Sequence, residues 1–298
     1  MRLEQLQLIL TLLTTGSLRS AAEKLHVTAP ALTKSLQQLE DEFGAALATR
    51  TAKGVRLTHA GELLAARASR ALREIERARE EVNWCVQHGK ATLTIASSPA
   101  AAFHLLPGAL SRLRSRWPQI KIRVLEVLYP AGLTMIRSGE VDLCVGPLPP
   151  DGIGRDLCRQ GLFDVQLVLI ARRGHPLSSA KSLRDIQGAE WINTGSPGGP
   201  GDPIHLKFKE LGLTPPQVTL TCESFTTLLA MLASIDALAL VPESFFSIYG
   251  QKLDLVCLSI ADTLPCIKVW AAWRADVPLT TPATFFLDSL ELEAINPS

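Results

Sequence analysis

Pro30, Thr33, Lys34 and Gln37 recur at three- and four-residue spacing, which on a helix puts them on one face. A hydroxyl, an ammonium and a carboxamide can reach base edges and phosphates, and the proline adds no bulk. The opposite face carries Leu32, Leu36, Leu39 and Phe43, an apolar stripe that must be covered. Thr28 is a good N-cap whose hydroxyl joins the polar surface, and Pro30 falls in the first turn, where a missing N–H costs nothing. Just upstream, Leu18, Ala21, Ala22, Leu25 and Val27 are small or apolar, as two closely crossed helices require. Gly16–Glu42 therefore reads as a helix-turn-helix whose second helix suits the major groove, and it implies duplex DNA as a partner.

A second basic set, Arg50, Lys53 and Arg56, lies at every third residue of a segment that reads as a two-stranded wing turning at Lys53-Gly54. Such a wing can follow phosphates or enter a narrow A·T-rich minor groove. Leu3, Leu6, Ile9, Leu10 and Leu13 predict an amphipathic first helix that roofs the motif. From Thr58 to about Gln87 there is no proline. Leu57, Gly61, Leu64, Ala68, Ala71, Ile75, Ala78, Val82 and Cys85 keep a 4-3-4-3 spacing there. That period specifies a coiled-coil seam and hence a dimerisation helix; the alternative is a long helix packed on its own domain. Two-fold symmetry would present two recognition helices to a partly palindromic site.

From Lys90 onward, strand-like and helix-like stretches alternate: 91–97, 100–116, 120–127, a short helix to Ser138-Gly139, and 141–145. A second set starts at 165–172 and continues through 218–223 and 237–242. The pattern predicts α/β units on mostly parallel sheets, in two lobes with a cleft between them. At 298 residues, with 47% hydrophobic and 20% charged residues, the chain can bury sizeable cores. Its net charge of +1 means that a DNA-binding surface must come from local placement of charge. No apolar run reaches membrane-spanning length and no signal sequence is evident, so a soluble cytoplasmic protein is expected. The six cysteines form no C-x-x-C pair and read as reduced core thiols, with Cys257 and Cys266 kept as a possible redox pair.

Taken together, Ala21-Ala22-Glu23-Lys24-Leu25-His26-Val27, Pro30-Ala31-Leu32, Leu39-Glu40, Arg50, Gly54-Val55, Leu57-Thr58 and Gly61 resemble the N-terminal signature of LysR-type transcriptional regulators. Gly139–Leu143 and Gly174–Leu177 are similar to phrases in that family's effector-binding half. The resemblance covers essentially the whole chain. It implies an α/β protein with a winged helix-turn-helix at 1–58, a linker helix at 59–89 and a two-lobed effector domain of periplasmic-binding-protein type at 90–298. Lobe I is then 90–162 plus 267–298, and lobe II is 163–266. It also implies a homotetramer, contact with RNA polymerase and no cofactor. Cys222-Glu223-Ser224-Phe225 resembles a subgroup responding to aromatic acids or sulfonates. Two positions depart from the family pattern: Ala29 stands where a glutamine is usual, and Ala48 where a phenylalanine is usual.

For a small anionic effector, Ser97-Ser98-Pro99 offers hydroxyls and N–H groups where a strand hands over to a helix, with simple N-capping as the alternative. Gly146 would close the first-lobe side. Across the cleft, Thr194, Ser196 and the glycine-rich 198–201 form a candidate clamp, and Ser224 with Phe225 a polar contact and an apolar wall. His104 and His175 read as structural, without a metal-spaced partner. No G-x-S-x-G elbow, H-E-x-x-H, Walker loop or G-x-G-x-x-G is present, so an enzyme is not expected.

Overall fold

A computed structural model describes residues 1–51, 54–87, 92–195 and 198–295. The chain divides into two compact units, Met1–Val86 and Gln87–Ser298. In the first, helices α1 (Leu3–Thr15), α2 (Leu18–Lys24) and α3 (Ala29–Phe43) precede a ribbon of β1 (Ala48–Thr51) and β2 (Gly54–Leu57), and α4 (His59–Gln87) follows. Leu8, Ile9, Leu12, Ala21, Ala22, Leu32, Leu36, Leu39 and Leu47 form its core. The buried face of α1 is thus centred on Leu8, Ile9 and Leu12, while Leu13 is exposed, as is Phe43 at the end of α3. The expected α1 stripe was rotated by about one residue because α1 meets α2 and α3 together, and a continuous run of leucines leaves several faces equally apolar.

The helix ends follow local chemistry. Gly16 closes α1 in the left-handed region, and Ser17 caps α2 by accepting from Ser20 N–H. Thr28 caps α3 by accepting from Ala31 N–H. Thr58 opens α4, its Oγ1 accepting from Gly61 N–H at 3.1 Å. Along α4 the predicted seam divides. Gly61 and Ala68 are buried and Leu64 packs on the first unit's own core, beside buried Ala65, which lies off the seam, whereas Ala71, Ile75, Ala78 and Val82 are exposed. Cys85 lies outside the residues whose side chains are described.

The second unit holds, in chain order, β3 (Thr92–Ser97), α5 (Pro99–His104), α6 (Leu106–Arg116), β4 (Lys121–Glu126), α7 (Ala131–Ser138), β5 (Leu143–Pro147) and β6 (Leu157–Arg172). Then come β7 (Glu190–Thr194), α8 (Ile204–Glu210), β8 (Gln217–Cys222), α9 (Phe225–Leu232), β9 (Ala237–Pro242), α10 (Glu243–Tyr249), β10 (Leu255–Cys257), β11 (Cys266–Arg274) and α11 (Thr281–Ile295). The strand order is β4-β3-β5-β11-β6-β9-β7-β8, with β10 also on β6.

Each lobe has a three-strand parallel group, β4-β3-β5 and β9-β7-β8, but every pairing of β6, and that of β11 with β5, is antiparallel. The sheets are therefore mixed rather than mostly parallel. The reason is that β6 and β11 carry the chain between lobes and close each parallel group in the opposite sense. The pairing of β6 passes from β11 to β9 between Gln166 and Leu167, so the expected boundary at 162/163 falls inside a continuous strand. Both faces of each sheet are covered: Leu93, Ile95 and Phe286 on one side of lobe I, Ile136 and Val141 on the other. In lobe II, Trp191 and Phe208 lie on one side, Ile192 and Phe225 on the other.

Candidate nucleic-acid interface and ligand cleft

In α3, Pro30, Lys34 and Gln37 are exposed on one stripe, with Thr33 partly exposed between them; Leu32, Leu36 and Leu39 anchor the opposite face. The Thr33 hydroxyl donates to Ala29 C=O at 2.9 Å, which leaves its lone pairs to accept. Thr28 is exposed at the N-cap, so the positive end of a 15-residue helix and a free hydroxyl proton meet at one corner, a favourable seat for a phosphate. The turn before it runs through His26 at φ 55. Ala29 is exposed at the first helical position and packs on nothing in the core, so the departure there alters the outward face alone.

The ribbon pairs Thr49 with Arg56 and Arg50 with Val55. Opposed residues share a face and neighbours alternate, so Arg50 and Arg56, both exposed, point to opposite sides of the wing. Equal spacing in sequence does not gather them into one patch. They flank the wing as two arms on opposite faces. Lys53 lies outside the described residues.

Three contacts that the sequence reading missed aim this wing. Glu40 of α3 accepts through Oε1 from Leu47 N–H (2.8 Å) and Ala48 N–H (3.1 Å), tying the ribbon to the recognition helix. Val55 N–H donates to Gly16 C=O at 2.8 Å. Gly54 sits at φ 125, and a Cβ there would overlap the Gly16 carbonyl oxygen. With Glu40 in place, Ala48 pairs with Leu57 and packs partly buried on the core, so the small residue does not open the hairpin.

In the second unit a cleft of about 830 Å³, counting space open to solvent, lies between the lobes. Lobe I contributes Ser98, Pro99, Leu128, Tyr129, Leu133, Cys144 and Gly146, and lobe II contributes Thr194, Gly195, Phe225 and the glycine-rich turn at 199–201. Ser98 caps α5 by accepting from Ala101 N–H at 3.4 Å. A Cβ on Gly146 would come within 3.0 Å of Ser98 Oγ, so glycine at 146 leaves the space that Ser98 occupies.

Five of the eight expected cleft residues, Ser98, Pro99, Gly146, Thr194 and Phe225, therefore line one cavity. Ser97 does not: it is the last residue of β3, 1% exposed, and its hydroxyl donates to Ser98 C=O at 3.1 Å, whereas Ser98 has already left the strand to cap α5. Ser224 is half-buried at the N-cap of α9 and is likewise absent from the lining. Ser196 lies outside the described residues. Leu128, Tyr129 and Cys144 were not foreseen. Leu128 and Tyr129 sit in the loop after β4, and Cys144 is a buried core thiol, as expected, that also borders the cleft. Burial pushes the Cys144 thiol up to about 12.

The cleft lining contains no Lys, Arg or His among the described residues. His104 stacks on Phe163 at 4.6 Å, and burial lowers its pKa while the Glu293 charge opposes that shift. His175 is buried, its Nδ1 accepting from Leu177 N–H at 3.0 Å. Among the described residues no group of three or more His, Cys, Asp or Glu could hold a metal ion, and no helix is long and apolar enough to cross a membrane. Cys257 and Cys266 are both exposed. Cys257 pairs with Ile170 and Cys266 with Gln166 of the same strand. Four residues of strand separate them by about 13 Å or more, well beyond the roughly 7 Å that a disulfide spans.

A winged helix-turn-helix head, a long helix and a two-lobed α/β domain with a cleft define a ligand-responsive DNA-binding protein as the class. Residues 3–62 match the model of the bacterial regulatory helix-turn-helix protein, lysR family, and residues 87–294 match that of the LysR substrate binding domain. The chain belongs to the LysR family of DNA-binding transcriptional regulators and carries its effector-binding domain.

It is similar to the HTH-type transcriptional regulator TdcA of Escherichia coli (strain K12), 23% identical over 273 residues, covering 92% of this chain and 87% of that protein. It is 30% identical over 220 residues to a probable nitrogen assimilation transcriptional activator of Synechococcus elongatus, covering 72% of this chain and 70% of that one. Among solved structures, full-length CbnR complexed with its target DNA shares the fold with a TM-score of 0.76 at 20% identity, covering 98% of this chain and 100% of that chain.

Proposed function

We propose that this regulator reads its operator with Thr28, Pro30, Thr33, Lys34 and Gln37 of α3, and grips flanking phosphates with Arg50, Lys53 and Arg56. It pairs through the exposed half of the α4 seam into a dimer and further into a homotetramer. It works in the cytoplasm, on promoters where it meets RNA polymerase. Its effector is a small organic molecule with an aromatic-sized apolar body and one compact polar head, held between the lobes.

The observation that carries this reading is the cleft itself. Leu128, Leu133 and Phe225 supply apolar walls, while Ser98 from one lobe and Thr194 from the other supply hydroxyls to the same cavity. An aromatic carboxylate or sulfonate fits that pattern through hydroxyl and N–H contacts, without a counter-ion from the lining. Neutral aromatic amides and alcohols fit it equally well. The separation of Cys257 and Cys266 speaks against a thiol switch built on that pair.

The test is binding of the purified protein to its own upstream DNA across a panel of aromatic carboxylates, sulfonates and their neutral amide or alcohol counterparts. One chemical series should change affinity or footprint. Specific DNA binding that no aromatic compound alters would overturn the effector class.

A further inference from the structure

Phe225 is a cleft-lining residue of lobe II to which two lobe I groups attach directly. Its backbone N–H, the first of α9, donates to Glu126 Oε1 at the end of β4 at 2.7 Å. Its ring packs on Phe103 of α5, with centroids 5.3 Å apart, and edge-on against Phe245 of α10 at 4.9 Å. Phe103 also meets Phe245 at 5.0 Å and Tyr249 at 6.0 Å, so a lobe I ring is seated among three aromatic rings of lobe II. The same Phe225 is 5% exposed and forms part of the cleft wall.

We propose that Phe225 is the residue through which an occupant of the cleft sets one lobe against the other, with Glu126 and Phe103 as the positioning residues that hold it. This rests on the reading that the cleft takes an effector.

The physics is a competition for one side chain. The Glu126 carboxylate at the start of α9 faces the positive end of an eight-residue helix, so its bond is charge-assisted and favours the lobe setting seen here. The aromatic cluster adds shape-dependent contact that a small ring rotation would alter. A ligand packed on the cleft side of Phe225 must move that ring, fill space beside it, or lock it. Each changes how well Phe103 and Glu126 are satisfied in one lobe arrangement relative to another, which is the differential affinity that any effector needs. Glu126 also places a negative charge beside the first N–H of α9, so an anionic head would be directed to the Ser98 and Thr194 side of the cleft.

The test uses the full-length protein without any ligand. Glu126→Gln keeps an acceptor and removes the charge, and Phe103→Leu keeps bulk and removes the ring. Both should speed amide hydrogen exchange at 225–232 while leaving 92–97 and 237–242 at wild-type protection. Both should also shift basal output of a reporter driven by the protein's own upstream DNA, in the same direction, by roughly fivefold or more. Phe103→Tyr, which restores the ring, should return output toward wild type. Faster exchange at α9 with wild-type basal output would reduce these contacts to packing and overturn the proposal, as would unchanged exchange. If the aromatic panel leaves wild-type DNA binding untouched while the variants still shift basal output, the ligand reading fails and the lobe coupling stands.

Discussion

Gln37 and Arg56 are both exposed polar residues of the DNA-binding head, yet they sit on supports of different kinds. Gln37 is one of the side chains on the outward stripe of a helix anchored by three buried leucines, so a base edge can be read at fixed geometry. Gln37→Ala should cost about 1–3 kcal/mol on the operator and little on unrelated duplex, compared by fluorescence anisotropy on both. Arg56 stands on a ribbon flank, opposite Thr49. Arg56→Ala should weaken all duplexes alike and lower the salt dependence by about one counterion; loss confined to the operator would contradict a phosphate role. Cys144 offers a third residue-scale test. With its thiol pushed up to about 12, the thiolate at pH 8 is on the order of one part in ten thousand. Iodoacetamide at pH 8 should therefore modify exposed Cys266 and spare Cys144, read by mass spectrometry of peptides. Comparable labelling of both would mean that the cleft thiol is neither buried nor neutral.

At the scale of elements, the wing is a small two-stranded ribbon that owes its direction to contacts outside itself. Isolated two-stranded hairpins are marginal in water, so Glu40, the Gly16 carbonyl and the close approach at Gly54 decide where its arms point. Gly54→Ala places a side chain at φ 125 and against the Gly16 carbonyl. The expected cost is about 1–3 kcal/mol, seen as a lower thermal midpoint together with weaker DNA binding. An unchanged midpoint would show that the ribbon moves freely away from the turn. The helix pair α2–α3 needs less outside help, because Ser17 and Thr28 cap it locally and its apolar stripes are complementary.

For the whole molecule, the far half of α4 carries the proposed subunit contact. Val82 is 62% exposed, and Ala71, Ile75 and Ala78 before it are exposed too, so the far half of the seam is an uncovered apolar stripe beyond the covered positions Gly61 and Ala68. Val82→Asp should reduce the mass found by analytical ultracentrifugation and weaken operator binding more than half-site binding, since the paired heads act through effective concentration. A wild-type mass would place the subunit contact elsewhere.

The helix-turn-helix, the wing and the alternation of strands and helices were written in residues close together in the chain: caps, a three-and-four spacing, a Lys-Gly turn. Those signals are local because helix and hairpin hydrogen bonds are local. The sequence alone therefore determined the architecture and the outward stripe of α3. What it left open were choices between faces. Ser97 and Ser98 are chemically alike, and only the passage from β3 into α5 decides that one bonds its neighbour's carbonyl while the other caps the helix and borders the cleft. Arg50 and Arg56 look like one patch until the ribbon's register separates them. Glu126 and Phe225 lie 99 positions apart and meet because β6 and β11 return the chain across both lobes. Periodicity tells which residues share a face, but when both faces of a sheet are covered it cannot tell which face looks into the cleft. That decision belongs to the packing of the two lobes.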